Sequence, residues 1–155
     1  MSGRVSRSVP ALASLVLAAG CSLGASGYGD PVNGLRCDAT GEEPVRARVA
    51  VHLVSGPVPE PVTMGVGSTG SCNYPVRTED EDGIVIVRGD EAAGTATLDD
   101  FLTIWEYAIS AGSGGAGAFR AAATDGEIHV NGEAVPGPAD TVILRDGDLI
   151  DLIAP

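Results

Sequence analysis

The sequence predicts an α+β fold, with a small, mostly antiparallel sheet and one main helix at about residues 98–110. Two observations indicate this class: strand patterns at 45–56 and 83–89 precede the helical pattern, and further strand and turn patterns follow it. A third observation is the lack of repeated strand–helix–strand alternation, which disfavours a doubly wound parallel sheet.

The first strand is predicted within VRARVAVHLVSG, residues 45–56. Its apolar side chains alternate with Arg46, Arg48 and His52, as in a strand that is buried on one face. The next segment, PVPEPVTMGVG, predicts an edge strand because proline has no N–H for a central ladder. GIVIVRG, residues 83–89, is a β-branched run between glycines and predicts a buried strand.

The main helix is predicted from a cap and an apolar repeat. Thr97 can cap its start, and Asp100 stands at the capping-box spacing. Leu98, Phe101, Leu102, Trp105, Ala108 and Ile109 recur at helical intervals. We therefore expect Trp105 in the core and a helix end at Gly112.

The last third of the chain predicts a loose GSGGAG linker followed by two hairpins. The first would turn at Asn131-Gly132, between EIHV and EAV, and the second at Asp146-Gly147, between TVILR and DLIDLI. Both dipeptides favour the two-residue turns of hairpins. No second helix is predicted.

The first 20 residues predict an export signal, with two arginines before an apolar run at 9–19. That run is shorter than the roughly 20 residues of a spanning helix. LAAGC resembles the bacterial lipobox, which implies that the thiol of Cys21 is lipidated and that Cys21 becomes the mature N-terminus. Ala18 departs from the leucine that is usual in that motif. The alternative is a plain secretory signal with a leftover thiol.

This interpretation divides the chain into a signal peptide (1–20), a flexible tether (21–40) and a single α+β domain (41–155). The tether is rich in glycine and serine. The expected location is the extracytoplasmic face of the cell membrane, held by the lipid anchor.

The exported part is acidic. Beyond residue 20 it carries all 21 acidic residues and seven arginines, a formal charge of −14. Nucleic acid is therefore a poor partner, and an envelope protein or ligand of unknown identity is expected instead. Lysine and glutamine are absent, which is typical of high-GC coding.

Cys37 and Cys72 predict a disulfide, because they form an even pair in an oxidising compartment. Closing this loop would stabilise the fold by roughly 3–4 kcal/mol. A zinc site would require a second pair of cysteines or histidines nearby.

Four consecutive carboxylates, Glu79, Asp80, Glu81 and Asp82, offer a candidate cation site. An EF-hand alignment fails because Gly89 would take the twelfth position, where a bidentate glutamate is required. A solvated turn is the favoured interpretation. A calcium site with an affinity on the order of 10⁻⁴ to 10⁻³ M is the alternative.

No catalytic residue and no resident cofactor are predicted, so the protein is expected not to be an enzyme. The chain has two histidines, His52 and His129, and no nucleophile elbow. The carboxylate pair Asp148 and Asp151 is expected at the surface, beside a turn. Two G-x-G-x-x-G patterns, GVGSTG and GSGGAG, lack the strand-then-helix context of a phosphate site.

The segments VAVHL, CNYPVRTEDEDGIVIV, TLDDFLTIWE, IHVNGEAV and LRDGDLIDLI resemble, in this order, a family of uncharacterised exported bacterial proteins. In that family a cysteine is followed by Pro-Leu-His-Thr-His-Asp and, further along, by a helix with the pattern Phe-Phe-x-x-Trp. Its His-Thr-His corresponds to Arg77, Thr78 and Glu79, and the histidine of its next strand to Ile86 or Val87. Most of the family's histidines are thus missing, although His52 matches one.

The strand order around the helix is similar to a β-grasp arrangement. Together these features predict a lipid-anchored extracytoplasmic protein that acts as a binding or structural module. The alternative is a divalent metal-handling protein that uses the acidic segment.

Overall fold

The computed structural model describes residues 29–68, 72–80, 83–108 and 115–155. These residues form a seven-stranded, mostly antiparallel sheet with two α-helices, which confirms the α+β class. The strands are β1 (Val45–Val54), β2 (Glu60–Pro61), β3 (Val76–Thr78), β4 (Ile84–Arg88), β5 (Glu127–Val130), β6 (Glu133–Ala134) and β7 (Leu149–Ile153). The helices are α1 (Leu98–Ala108) and α2 (Ala116–Asp125), and a short 3₁₀ turn spans Ala139–Thr141.

The strand order in the sheet is β3-β4-β1-β7-β5-β6, and β2 pairs with the far end of β1. The first long strand, β1, and the last strand, β7, are neighbours at the centre and run parallel. The other pairs of strands are antiparallel. The proline-rich segment contributes only the two residues of β2, which confirms its interpretation as an edge strand.

The core lies between one face of the sheet and the two helices. On β1 the alternation is as predicted, with Ala47, Val49, Val51 and Leu53 buried. On the partner strands, Val85, Val87, Ile150 and Leu152 are buried as well. Burial of these branched side chains supplies most of the driving force for folding.

Helix α1 begins at the predicted cap. The Asp100 N–H donates to Thr97 Oγ1 at 3.2 Å, and the Thr97 N–H donates to Asp100 Oδ2 at 2.9 Å, forming a reciprocal capping box. Trp105 is fully buried, with ring centroids 5.8 Å from Phe101 and 5.0 Å from Phe119. The predicted end at Gly112 lies outside the described residues.

The expectation of a single helix is wrong, because α2 follows at Ala116–Asp125. Its buried residues are small except for Phe119, so its apolar pattern is faint in the sequence. The preceding GSGGAG indicates a linker, yet its last two residues belong to this helix. Alanine has the highest helix propensity and contributes little hydrophobic contrast. No helix in the described part of the chain is long and apolar enough to cross a membrane.

The first predicted hairpin is confirmed and the second is wrong. Asn131 and Gly132 have φ of 54° and 84° and join β5 to β6. Asp146 and Gly147 do form a turn, but the residues before it are not a strand of the sheet. They bond instead to the start of α1, through the Leu144 N–H to the Ala96 carbonyl at 2.9 Å. Both edges of β7 are already occupied, by β1 and by β5.

Two further differences concern the region before the helix. Val76–Thr78 forms β3, a short strand that the sequence does not predict. Residues 29–40, which we call the N-terminal strap, pack on the domain although they belong to the predicted tether. Val32 is buried, and Asn33 Nδ2 donates to Asp100 Oδ1 at 2.8 Å.

Candidate functional site

The predicted disulfide is present between Cys37 and Cys72. It fastens the N-terminal strap to the segment that leads into β3. Beside it, the Ala39 N–H donates to the Asn73 carbonyl at 2.9 Å. Further along, the Tyr74 hydroxyl donates to the Asp30 carbonyl at 2.5 Å. The strap is therefore joined to the domain by a covalent bond and by backbone contacts, whereas Cys21 lies outside the described residues.

Two arginines hold the first carboxylate of the acidic segment. Arg88 donates to both oxygens of Glu79, from Nε to Oε1 and from Nη2 to Oε2, each at 2.8 Å. Arg77 donates from Nε to Oε1 at 3.0 Å. The hydrogen bonds from Arg88 are the main cause that lowers the pKa of Glu79, with a further contribution from the charge of Arg77.

This arrangement bears directly on the candidate calcium site. Both oxygens of Glu79 accept hydrogen bonds from guanidinium groups, so a cation would have to displace an arginine to reach them. Asp80 is exposed, and Glu81 and Asp82 lie outside the described residues. Within the described ranges, no three His, Cys, Asp or Glu side chains already converge to hold a metal ion.

A second carboxylate, that of Glu43, accepts hydrogen bonds between the strap and β1. The backbone N–H groups of Thr40 and Gly41 donate to the two carboxylate oxygens of Glu43 at 2.8 and 3.0 Å. These bonds, led by that of Thr40, lower the pKa of Glu43 to about 2. Arg88 Nη1 also donates to the Glu43 carbonyl at 2.8 Å, which connects this cluster to Glu79.

A groove with a volume of about 710 Å³ lies beside α2, β5 and the loop after β6. Ile128, Val135 and Pro136 supply part of its apolar lining. This volume is within the range of small-molecule sites. The sequence does not predict this groove because α2, which forms one wall, is itself not predicted.

The arginine of this groove is already engaged in contacts between the helices. Arg120 pairs with Asp99, donates from Nε to Glu106 Oε1 at 3.2 Å, and donates from Nη2 to Thr103 Oγ1 at 2.9 Å. All three partners belong to α1, so Arg120 connects the two helices. Its guanidinium is therefore oriented by structural contacts.

The two histidines lie on the sheet face opposite the helices. His52 Nδ1 is 3.4 Å from Asp151 Oδ1, and His129 Nε2 is 2.9 Å from Glu127 Oε2. Asp148, the other member of the carboxylate pair considered from sequence, accepts a hydrogen bond from Asn131 Nδ2 at 2.9 Å. Asp148 and Asp151 thus have different partners.

The chain matches no family model, no curated protein and no solved structure in these three comparisons. The resemblance seen in the sequence therefore stays a prediction.

Proposed function

We propose that the protein is a lipid-anchored extracytoplasmic lipoprotein whose domain acts as a binding or structural module of the cell envelope. The observation that carries the proposal is the disulfide between Cys37 and Cys72. Disulfides persist in oxidising compartments and are rare in the cytosol. The bond therefore supports export, as the first 20 residues predict.

The position of the disulfide also fits an anchored protein. It holds the strap on the domain only 16 residues after Cys21. In the proposed arrangement, Cys21 carries the lipid and the residues before the strap are the spacer. Any pull on the anchor would then act on a segment that is covalently fixed to the domain.

We further propose that the domain is of the β-grasp type. The run β4-β1-β7-β5-β6, with β1 and β7 parallel and the helices between β4 and β5, supports this assignment. A fold does not specify an activity, so this assignment leaves the ligand open.

A binding role is favoured over catalysis by the pairing of the charged groups. Glu79 and Arg120 have several partners within the protein. Such pairing is typical of structural ion pairs, whereas an active site needs a base and a nucleophile in mutual reach. Calcium binding by residues 79–82 is the less favoured alternative because Glu79 is paired with Arg88.

The anchor is tested by replacing Cys21 with serine in the native host. The wild-type protein should fractionate with membranes, and its intact mass should correspond to a chain that begins at an acylated Cys21. The Cys21→Ser protein should lose the acyl mass and the membrane association. A Ser26→Ala variant is the matched control and should behave like wild type. A wild-type protein without acyl groups, or with residues 1–20 still attached, would overturn the proposal.

A further inference from the structure

The sheet places the two histidines of the chain on the two strands that flank Asp151. His52 is on β1, Asp151 on β7 and His129 on β5, and these three strands are consecutive neighbours. Asp151 is in register with His52 on one side and with His129 on the other. Residues in register on neighbouring strands share one face of a sheet, so the three side chains form a single row.

The dimensions of this row suit a metal ion. Neighbouring strands lie about 4.8 Å apart, so the two histidines are separated by about 10 Å across Asp151. Imidazoles on the two outer strands, β1 and β5, can lean toward the central strand β7 and bind one metal ion above it. Each metal–nitrogen bond spans about 2 Å. The carboxylate of Asp151 then lies below the meeting point.

The side chains are accessible but not fully solvated. Relative exposure is 27% for His52, 24% for Asp151 and 27% for His129. His52 Nδ1 already approaches Asp151 Oδ1 at 3.4 Å. His129 is turned toward Glu127, so the three groups do not converge in this structure. Convergence requires the His129 side chain to rotate away from Glu127 and toward Asp151.

In this structure His129 Nε2 lies 2.9 Å from Glu127 Oε2, an exposed contact that the rotation would break. The row therefore offers two nitrogen ligands and one oxygen ligand.

We propose that His52, His129 and Asp151 bind a divalent transition-metal ion, with water completing the coordination. Imidazole nitrogen suits zinc, copper and nickel, while calcium and magnesium prefer sites built from oxygen alone. The order of affinities should place Cu²⁺ above Ni²⁺ and Zn²⁺. This site is separate from the acidic segment at 79–82, and it depends on neither the lipid anchor nor the envelope location.

The test is calorimetric titration of the purified protein with ZnCl₂ at pH 7.5, in a buffer that does not bind zinc. One zinc ion should bind per chain. His52→Gln and His129→Gln should each weaken binding at least tenfold, the double variant should abolish it, and Asp151→Asn should weaken it measurably. Asp80→Asn is the matched control and should bind like wild type.

Two further measurements keep the result interpretable. Near-ultraviolet circular dichroism from the buried Trp105 reports whether each variant is folded. Imidazole NMR signals should shift on zinc addition, and assignment is simple because the chain has only two histidines.

Three outcomes would overturn the proposal. One is the absence of zinc binding by the wild-type protein at millimolar metal. Another is a folded His52→Gln/His129→Gln protein that binds zinc like wild type. The third is binding that is lost in Asp80→Asn but retained in the histidine variants, which would place the metal at the acidic segment.

Discussion

At the scale of single residues, the main electrostatic feature is the pairing of a buried arginine. Only 3% of Arg77 is exposed, and its guanidinium donates to the Tyr74 carbonyl at 2.9 Å and to Glu79. A buried charge without a partner is costly, so Glu79 is needed to keep Arg77 in place. The bidentate contact with Arg88 then fixes the position of Glu79.

We expect Glu79→Gln to destabilise the protein by about 1–2 kcal/mol at pH 7, after allowance for solvent screening at this partly exposed site. The folded-state pKa of Glu79 is lowered from its usual value of 4.5, mainly by Arg88. Its contribution is therefore present above pH 4.5 and is lost as the pH falls through the lowered folded-state pKa. Urea unfolding at pH 7 and pH 3 measures this difference.

The matched control for this prediction is Asp80→Asn. Asp80 is the exposed neighbour of Glu79 in the same acidic segment. Its substitution should change the free energy of unfolding by less than about 0.5 kcal/mol at either pH. If both variants had the same effect, the acidic segment would act through its overall charge and not through the arginine pair.

At the scale of elements, the two ends of α2 impose different limits on side chains. A Cβ added to Gly126 would lie 1.9 Å from the Ile153 carbonyl oxygen and 2.7 Å from that of Ala122. Gly126 connects α2 to β5, and its backbone lies close to the end of β7 at Ile153. At Gly117, in the first turn of the same helix, an added Cβ meets nothing within 4 Å.

We therefore expect opposite effects from the same substitution at the two ends. Gly126→Ala should destabilise by at least about 3 kcal/mol because two backbone oxygens must move. Gly117→Ala should stabilise by roughly 0.5 kcal/mol, since alanine loses less backbone entropy in a helix than glycine. Chemical unfolding of the two variants beside wild type measures both effects. A Gly126→Ala protein as stable as wild type would contradict the close contact between Gly126 and the Ile153 carbonyl.

At the scale of the whole molecule, the disulfide connects the strap to the rest of the domain. It joins residues that are 35 positions apart, and β1 lies within the closed loop. Loss of the bond increases the conformational entropy of the unfolded chain and removes the covalent link between the strap and the segment before β3.

We expect the Cys37→Ser/Cys72→Ser protein to lose about 3–4 kcal/mol of stability. For a domain of this size, the loss corresponds to a decrease in Tm of roughly 10 °C. Scanning calorimetry measures it, and the wild-type protein in reductant serves as the comparison that leaves the side chains unchanged. Equal Tm values with and without the bond would mean that the strap is held by its noncovalent contacts alone.

The sequence alone determined the features whose physical cause is local. The alternation along β1, the Thr97–Asp100 capping box and the Asn131-Gly132 turn each depend on residues within a few positions of one another. These features are enough for the α+β class. The disulfide could also be predicted, since an even pair of cysteines remains once Cys21 is assigned to the predicted lipobox.

The tertiary structure decided the features that depend on distant partners. Helix α2 has a faint apolar pattern and forms because Phe119 packs on Trp105. The residues before Asp146 bond to α1 because β1 and β5 already flank β7. The Glu79–Arg88 pair and the row of His52, Asp151 and His129 arise from strand register. Register is set by burial of the whole sheet face, which short sequence patterns do not record.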